Sequence, residues 1–140
     1  MEIVYNFPHV FHPSALAEEN ARVLRLSLDY LIVVNEIFLF YRPHVPALYS
    51  AGVVYKRDDT WLPISMLYLQ KYGDCKSLAA ARIAELHRQG IDARPVFRFV
   101  RKPDGWTDYH ILVQTEDGFE DPSRILGMGD NEVAPFMVPQ

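Results

Sequence analysis

The first third of the chain carries apolar residues at the spacing of an amphipathic helix. Ser14 is a good N-cap, and Glu18 and Glu19 follow in the first turns, where negative charge is favourable. The helix must end before Pro43, so the pattern predicts a helix over about residues 14–41. The apolar positions that set this spacing are Leu16, Ala17, Val23, Leu24, Leu28 and Leu31.

Turn-forming residues dominate the stretch that follows. Residues 42–63 contain three prolines and Gly52, which predicts a long loop, and such loops are often functional. Its aromatic side chains, Trp61 among them, either pack the loop onto the core or form the wall of a substrate groove. A short helix is expected over residues 63–71, with Pro63 at its start.

A further helix is predicted to begin at Cys75. Asp74 is a favourable N-cap, which makes Cys75 the first helical residue, and Gly90 is a natural stop. Small residues on this helix would let it lie close to a sheet; they are Ala79, Ala80, Ala81 and Ala84.

From Ile91 onward the apolar period changes from helical to alternating. The pattern predicts strands over residues 93–101 and 107–115 and a third strand starting at 119–121, after the turn signal Asp117-Gly118. Helices followed by a strand meander indicate an α+β domain, with N-terminal helices and the Cys75 helix packed on a small antiparallel sheet. We expect one domain over residues 1–140, with an extended arm at 1–13 and an irregular tail at 127–140.

Composition narrows the class of protein. A length of 140 residues suits one domain. The 14 basic and 18 acidic residues give a formal net charge of −4, and the basic residues form no stripe, which argues against nucleic acid as the partner. A single cysteine excludes an intrachain disulfide and favours a reducing compartment. No signal peptide is recognised, and the most apolar run, residues 30–41, is too short and too polar to span a membrane. We therefore expect neither nucleic acid nor membrane among the partners.

Cys75 is the most promising chemical feature. A thiol at a helix N-terminus faces unpaired N–H groups and the positive end of the helix dipole, which predicts a lowered pKa and a nucleophilic thiolate. Free cysteines are also common as small buried apolar residues, and this alternative stays open.

His110 and Asp121 could complete a catalytic triad. Alternation along the second strand places His110 on one face with Leu112 and Gln114, and the imidazole would point at the thiol if that face packs on the Cys75 helix. The hairpin turn would bring residues near 121 opposite residues near 114, so Asp121 is expected close to His110 but a few positions short of facing it. A satisfied, half-buried histidine and a surface aspartate are the alternative interpretations. A carboxylate that meets the imidazole would fix its tautomer and stabilise the imidazolium.

Several segments together resemble the transglutaminase-like superfamily of the papain-type fold. The resemblance covers about residues 61–125 and is carried by Tyr-Gly-Asp-Cys-Lys-Ser-Leu-Ala at 72–79, Gly-Ile-Asp-Ala-Arg-Pro-Val at 90–96, Tyr-His-Ile-Leu-Val at 109–113 and Phe-Glu-Asp-Pro-Ser at 119–123. It implies that Cys75 is the nucleophile, His110 the base and Asp121 the orienting acid. The front half, residues 34–64, is also similar to small proteins of this superfamily from tailed bacteriophages.

The resemblance implies a cysteine protease, an amidase or a transglutaminase-like acyltransferase that acts on a protein or peptide. Hydrolysis is the default outcome, because water needs no second binding site. The oxyanion donor is not obvious from the sequence; the Cys75 backbone N–H, Gln70 and Trp61 are candidates for the oxyanion site or the substrate groove. We expect a cytoplasmic protein, located in the host cytoplasm or associated with the virion if a phage encodes it.

A metal- or cofactor-binding protein and a structural protein are the two other functional classes. No ligand pair with the usual zinc spacing and no glycine-rich phosphate loop is present, so the sequence predicts neither a metal nor a cofactor. The second functional hypothesis is a bacteriophage structural or assembly protein, in which the fold serves protein–protein interaction with phage structural proteins, whether or not the triad still works.

Overall fold

The computed structural model describes residues 17–137. Its α-helices are α1 (Ala17–Tyr41), α2 (Ile64–Gln70), α3 (Cys75–Arg88), α4 (Pro122–Ile125) and α5 (Asp130–Val133). Its strands are β1 (Val54–Tyr55), β2 (Tyr72–Gly73), β3 (Arg94–Arg101), β4 (Thr107–Thr115) and β5 (Gly118–Glu120), and single 3-10 turns cover Leu48–Ser50 and Ala134–Phe136. The predicted α+β class is confirmed. The arm at 1–13 and the Ser14 cap lie outside the described residues.

The main sheet is a three-stranded antiparallel meander in the order β3-β4-β5. Strand β3 pairs with β4 along its whole length, from Arg94 opposite Gln114 to Arg101 opposite Thr107. Strand β5 is short, and its last pair joins Glu120 to Val113. The residues of β4 before Val113 therefore have no strand partner on the β5 side. A separate parallel pair joins β1 to β2 just before α3.

Helix α3 is the centre of the domain, packed between α1 and the sheet. Its Ala79, Ala80 and Ile83 belong to one core cluster with Leu28 of α1 and Ile111 of β4. The small residues allow the expected close approach, because the side chains of Ala79, Ala80, Ala81 and Ala84 are all fully buried. A second cluster on the other side of α3 packs against the turn at Leu48 and against α2.

Three segments differ from the sequence prediction. The loop at 42–63 contains a 3-10 turn and strand β1, because its backbone pairs with β2. The tail, predicted to be irregular, forms α5 and a 3-10 turn whose Val133 and Phe136 are buried. Asp121 is not a strand residue but the N-cap of α4. Among the helices of residues 17–137, none combines the length and apolar character that a membrane span requires.

Candidate functional site

Cys75 is the first residue of α3, as the sequence predicted, and its side chain is 7% exposed. The preceding Gly73 is needed for close packing rather than for a left-handed turn. A Cβ added at Gly73 would lie 2.7 Å from the Leu67 Cδ1 atom and 3.3 Å from the Ser77 Cβ atom. The absence of a side chain at Gly73 thus lets the backbone before α3 pack closely against α2, and this packing positions the backbone of Cys75.

Asp74 occupies the N-cap position, but its carboxylate does not cap the helix. It accepts instead from the Lys76 ammonium, with Oδ2 and Nζ 2.5 Å apart. The same ammonium donates to the backbone carbonyl of Asp58 at 2.6 Å, and its side chain is almost fully buried. A buried cation is therefore held beside the cysteine by a carboxylate and a loop carbonyl.

Two buried side chains fix the loop that carries Trp61 against the helices. The Leu62 backbone N–H donates to the Ser77 hydroxyl at 3.0 Å. The Ile64 backbone N–H donates to the Asn35 side-chain oxygen at 2.8 Å. Both acceptors are fully buried, so the loop is tied to α3 at Leu62 and to α1 at Ile64.

His110 and Asp121 form the predicted pair. The His110 Nε2 and Asp121 Oδ2 atoms are 2.8 Å apart, and the imidazole is 1% exposed. The other carboxylate oxygen, Oδ1, accepts from the Arg124 backbone N–H at 3.2 Å as the cap of α4. One carboxylate thus caps a helix and orients a buried imidazole, so the start of α4 holds Asp121 in place for His110.

The register of the hairpin explains how Asp121 reaches His110. Val113 pairs with Glu120 and Gln114 with Phe119, whereas the sequence predicted residue 114 opposite residue 121. Continuing the observed register places Asp121 beside Leu112, diagonal to His110, and a diagonal neighbour lies within reach of a side chain. The gap that the sequence left between the two residues is therefore closed by a two-residue shift in register.

Cys75 and His110 line the same cavity but do not form a hydrogen bond. The face of β4 that joins the α3 core is the one with Ile111 and Val113, not the face of His110. The His110 ring lies against Phe136, with ring centroids 5.4 Å apart. Its Nδ1 atom has no hydrogen-bond partner among the described residues. Because Nε2–H donates to Asp121, Nδ1 is left as the basic nitrogen of the ring.

The environment of the thiol opposes ionisation in the resting structure. Burial raises the pKa of Cys75, and the neighbouring Asp74 carboxylate raises it further. The Lys76 ammonium and hydrogen bonding from the Ile111 backbone lower the pKa, but they do not offset burial. The expectation of a lowered thiol pKa from the helix terminus is therefore wrong for this structure, since the terminus is covered rather than open to solvent.

A cavity of about 830 Å³ opens beside Cys75 and His110. Trp61 lines the cavity and at the same time packs against the core cluster around α3. Aromatic and cationic side chains make up much of the remaining wall, namely Tyr55, Trp106, Tyr109, Phe136, Arg57, Arg101 and Lys102. Burial raises the pKa of Tyr109 well above its usual value, so its phenol stays protonated at neutral pH.

Gln70 lies away from this cavity. Its side-chain amide donates to the Asp58 carboxylate at 3.0 Å and to the Tyr72 carbonyl at 3.1 Å. These contacts hold the Gln70 amide between Asp58 and β2, and Gln70 does not line the cavity, so the structure does not bring it to the oxyanion or groove position proposed for it.

The structure adds residues to the site that sequence reasoning missed. Lys76 follows the cysteine directly, but no sequence signal shows that its charge is buried. Asp108 lies on the cavity wall between two cations, with its Oδ2 atom 3.5 Å from Arg57 and 3.4 Å from Lys102. Phe136 comes from the tail, where sequence patterning gave no helical signal. Among residues 17–137, no three metal-ligating side chains converge.

Comparison with known proteins identifies no relative of this chain. No family model, no curated protein and no solved structure matches the chain.

Proposed function

We propose that this domain is a thiol-dependent hydrolase or acyltransferase of transglutaminase-like fold that acts on an amide or peptide carbonyl. Cys75 is the nucleophile, His110 the general base and Asp121 the group that orients the imidazole. One observation carries the proposal: the His110–Asp121 hydrogen bond at 2.8 Å leaves Nδ1 without a partner among the described residues, and His110 lines the same cavity as Cys75.

The chemistry follows from the roles of these groups. The Nδ1 atom of His110 takes the thiol proton as the Cys75 sulfur attacks the carbonyl carbon, and a tetrahedral oxyanion forms. On its collapse the C–N bond breaks, the amine leaves with the proton from the imidazolium, and a thioester to Cys75 remains. Water activated by His110 then releases the acid, or a second amine takes the acyl group. Asp121 stabilises the imidazolium in both steps.

The raised thiol pKa makes His110 essential to this scheme. A thiolate is scarce at neutral pH in the resting site, so the proton must move to the imidazole as the bond to carbon forms. Catalytic hydrogen bonds are often absent before substrate binds and tighten in the bound complex.

Protein or peptide segments are the substrates that fit the cavity best. Its walls combine aromatic rings with charges of both signs, which suits an extended chain with mixed side chains. Hydrolysis is the default reaction, since only one substrate has to be bound. The Cys75 backbone N–H, at the start of α3, is the main-chain donor available to the oxyanion.

Isotope labelling of products tests the proposal. The protein is incubated with a diverse peptide library in H₂¹⁸O, with and without added glycine methyl ester, and the products are analysed by mass spectrometry. Hydrolysis adds ¹⁸O to a new carboxylate, whereas transfer adds the mass of the amine. Cys75→Ala and His110→Ala should abolish both products, and His44→Ala, an exposed loop histidine, should retain them. Turnover that persists in Cys75→Ala would contradict the proposal.

The second candidate is a bacteriophage structural or assembly protein with an inactive triad. The observation that favours it is the resting geometry, in which the thiol is buried, its pKa is raised and His110 makes no hydrogen bond to it. On this alternative, Cys75→Ala leaves the biological role of the protein intact, and no product appears in the isotope experiment.

A further inference from the structure

The outer face of α1 carries a row of exposed apolar side chains. Leu26, Val33, Ile37 and Phe40 are 68%, 51%, 55% and 68% exposed. Successive members are seven, four and three residues apart, so they lie on one face of the helix. Tyr30, 40% exposed, occupies the position between the first two members. We call the four residues the α1 outer row.

The outer row points away from the core of its own domain. Leu28 and Asn35, which lie on the opposite side of the helix, are fully buried against α3 and the loop before α2. Helix α1 is therefore apolar on two faces, and its own domain covers only one of them. A helix that is apolar on two sides normally has a second packing partner.

The spacing of the outer row is typical of paired helices. With Tyr30 counted between Leu26 and Val33, successive positions are four, three, four and three residues apart. The mean spacing is 3.5 residues, the repeat of a coiled-coil seam. Core-facing positions in a globular domain usually form a broader band. The row extends over about 20 Å at 1.5 Å per residue, enough for two heptads.

We propose that a second copy of this chain covers the outer row, forming a two-fold dimer in which the two α1 helices pack along their length. With Tyr30 and Tyr41 (the latter 68% exposed, at the C-terminal end of the row) added to the four, the exposed parts of these side chains offer roughly 600–700 Å² per chain. Twice that area is ~1,300 Å², within the ~1,200–2,000 Å² typical of stable protein interfaces. The surface is therefore large enough for self-association, independently of the Cys75 site.

Charges beside the row favour a parallel pair and disfavour a membrane. Asp29 and Glu36 flank the same side of the row. In an antiparallel pair centred on Val33, Asp29 of one helix would approach Glu36 of the other, and like charges repel even though Arg25 and His87 partly offset these two carboxylates within each chain. In a parallel pair Asp29 would instead face the apolar Val34. This flank carries Arg22 and Arg25 beside the two acids, and such a mixed flank differs from the lysine- and arginine-rich flanks of helices that bind anionic membranes.

Sedimentation velocity and equilibrium tests the dimer. The wild-type chain is run from about 1 to 100 μM, and its mass should rise to that of two chains within this range. The double variant Val33→Lys/Ile37→Lys should weaken the dimer at least ~100-fold, because it places four like charges in the buried seam. Leu69→Lys is the matched control: Leu69 is 79% exposed on α2, away from the row, and the dimer should be unchanged.

Circular dichroism and thermal melting show that each variant is folded. A wild-type chain that stays monomeric throughout the range overturns the proposal, as does a double variant that dimerises like wild type. Binding of the monomer to anionic phosphatidylserine vesicles without self-association would assign the row to a membrane instead. For the orientation, Leu26→Cys in a Cys75→Ser background should form an intermolecular disulfide; absence of the disulfide in a proven dimer overturns the parallel alignment.

Discussion

Asp121→Ala should destabilise the domain by about 2–4 kcal/mol, because the carboxylate has two structural partners. Loss of the cap on the Arg124 N–H at 3.2 Å costs about 1 kcal/mol. The same change leaves Nε2 of His110 without an acceptor, and a buried unpaired polar group costs about 1–3 kcal/mol. The two losses are independent contacts of one side chain, so their sum sets the expected size.

Urea unfolding followed by circular dichroism measures this change in the free energy of unfolding. Asp121→Asn keeps the shape and one acceptor oxygen, so it should cost less, about 1 kcal/mol. Asp117→Ala, in the exposed hairpin loop, is the matched aspartate control and should stay within about 0.5 kcal/mol of wild type. An Asp121→Ala protein as stable as the Asp117→Ala protein would refute the idea that one carboxylate serves both the cap and the imidazole.

Three further predictions follow from the surroundings of α3. Gly73→Ala should lower stability by about 1–3 kcal/mol in urea unfolding, because its Cβ would lie 2.7 Å from Leu67 Cδ1; a neutral effect would contradict the packing role of the glycine. Burial lowers the pKa of His87, but hydrogen bonds to Glu36 and to a backbone carbonyl raise it, and the net shift is upward. The stability that the His87–Glu36 contact contributes is therefore present below pH 6.5 and is lost as the pH rises through the raised pKa. NMR titration should show this raised pKa, and Glu36→Gln should reduce it; equal values in the two proteins would be the contrary result. Iodoacetamide should alkylate Cys75 slowly at pH 6–7 and faster only as the pH rises above 9, because burial raises the thiol pKa. Mass spectrometry measures the extent of alkylation, and rapid alkylation at pH 6 would show that the thiol is ionised, contrary to this prediction.

Local signals in the sequence were sufficient to predict the main elements. The second strand was expected at 107–115 and is observed at Thr107–Thr115, because a run of strand-forming residues lies between two turn signals that determine both ends. The start of α3 at Cys75 and its end before Gly90 also agree, and Gly90 has the positive φ of 77° that favours glycine after a helix. These features depend on the identity of a few adjacent residues, which the sequence displays directly.

Features that depend on distant contacts could not be predicted in the same way. The hairpin was expected to turn at Asp117-Gly118, but Gly118 is already the first residue of β5, with φ of 121°. That difference shifted the register by two residues and brought Asp121 within reach of His110. A strong turn signal predicts that a hairpin exists more reliably than it predicts the pairing, which the flanking side chains also influence.

The state of the thiol is a second example. The helix terminus alone predicts a lowered pKa for Cys75, but burial in the core between α1 and β4 reverses the direction. Burial of this kind depends on residues far from Cys75 in sequence, including Leu28 of α1 and Ile111 of β4. The residues of the proposed triad could therefore be named from the sequence, whereas their protonation and spacing required the tertiary structure.

The central claim is that His110 takes the proton from Cys75 during attack on a carbonyl. The most direct test is the rate at which a peptidyl vinyl sulfone, an electrophile that resembles a peptide, modifies Cys75 at pH 7.5. The account predicts a single adduct on Cys75 in the wild type and a rate at least ~100-fold lower in His110→Ala, the size expected for a general base. Equal rates in the two proteins, or no adduct on folded wild type, would contradict it.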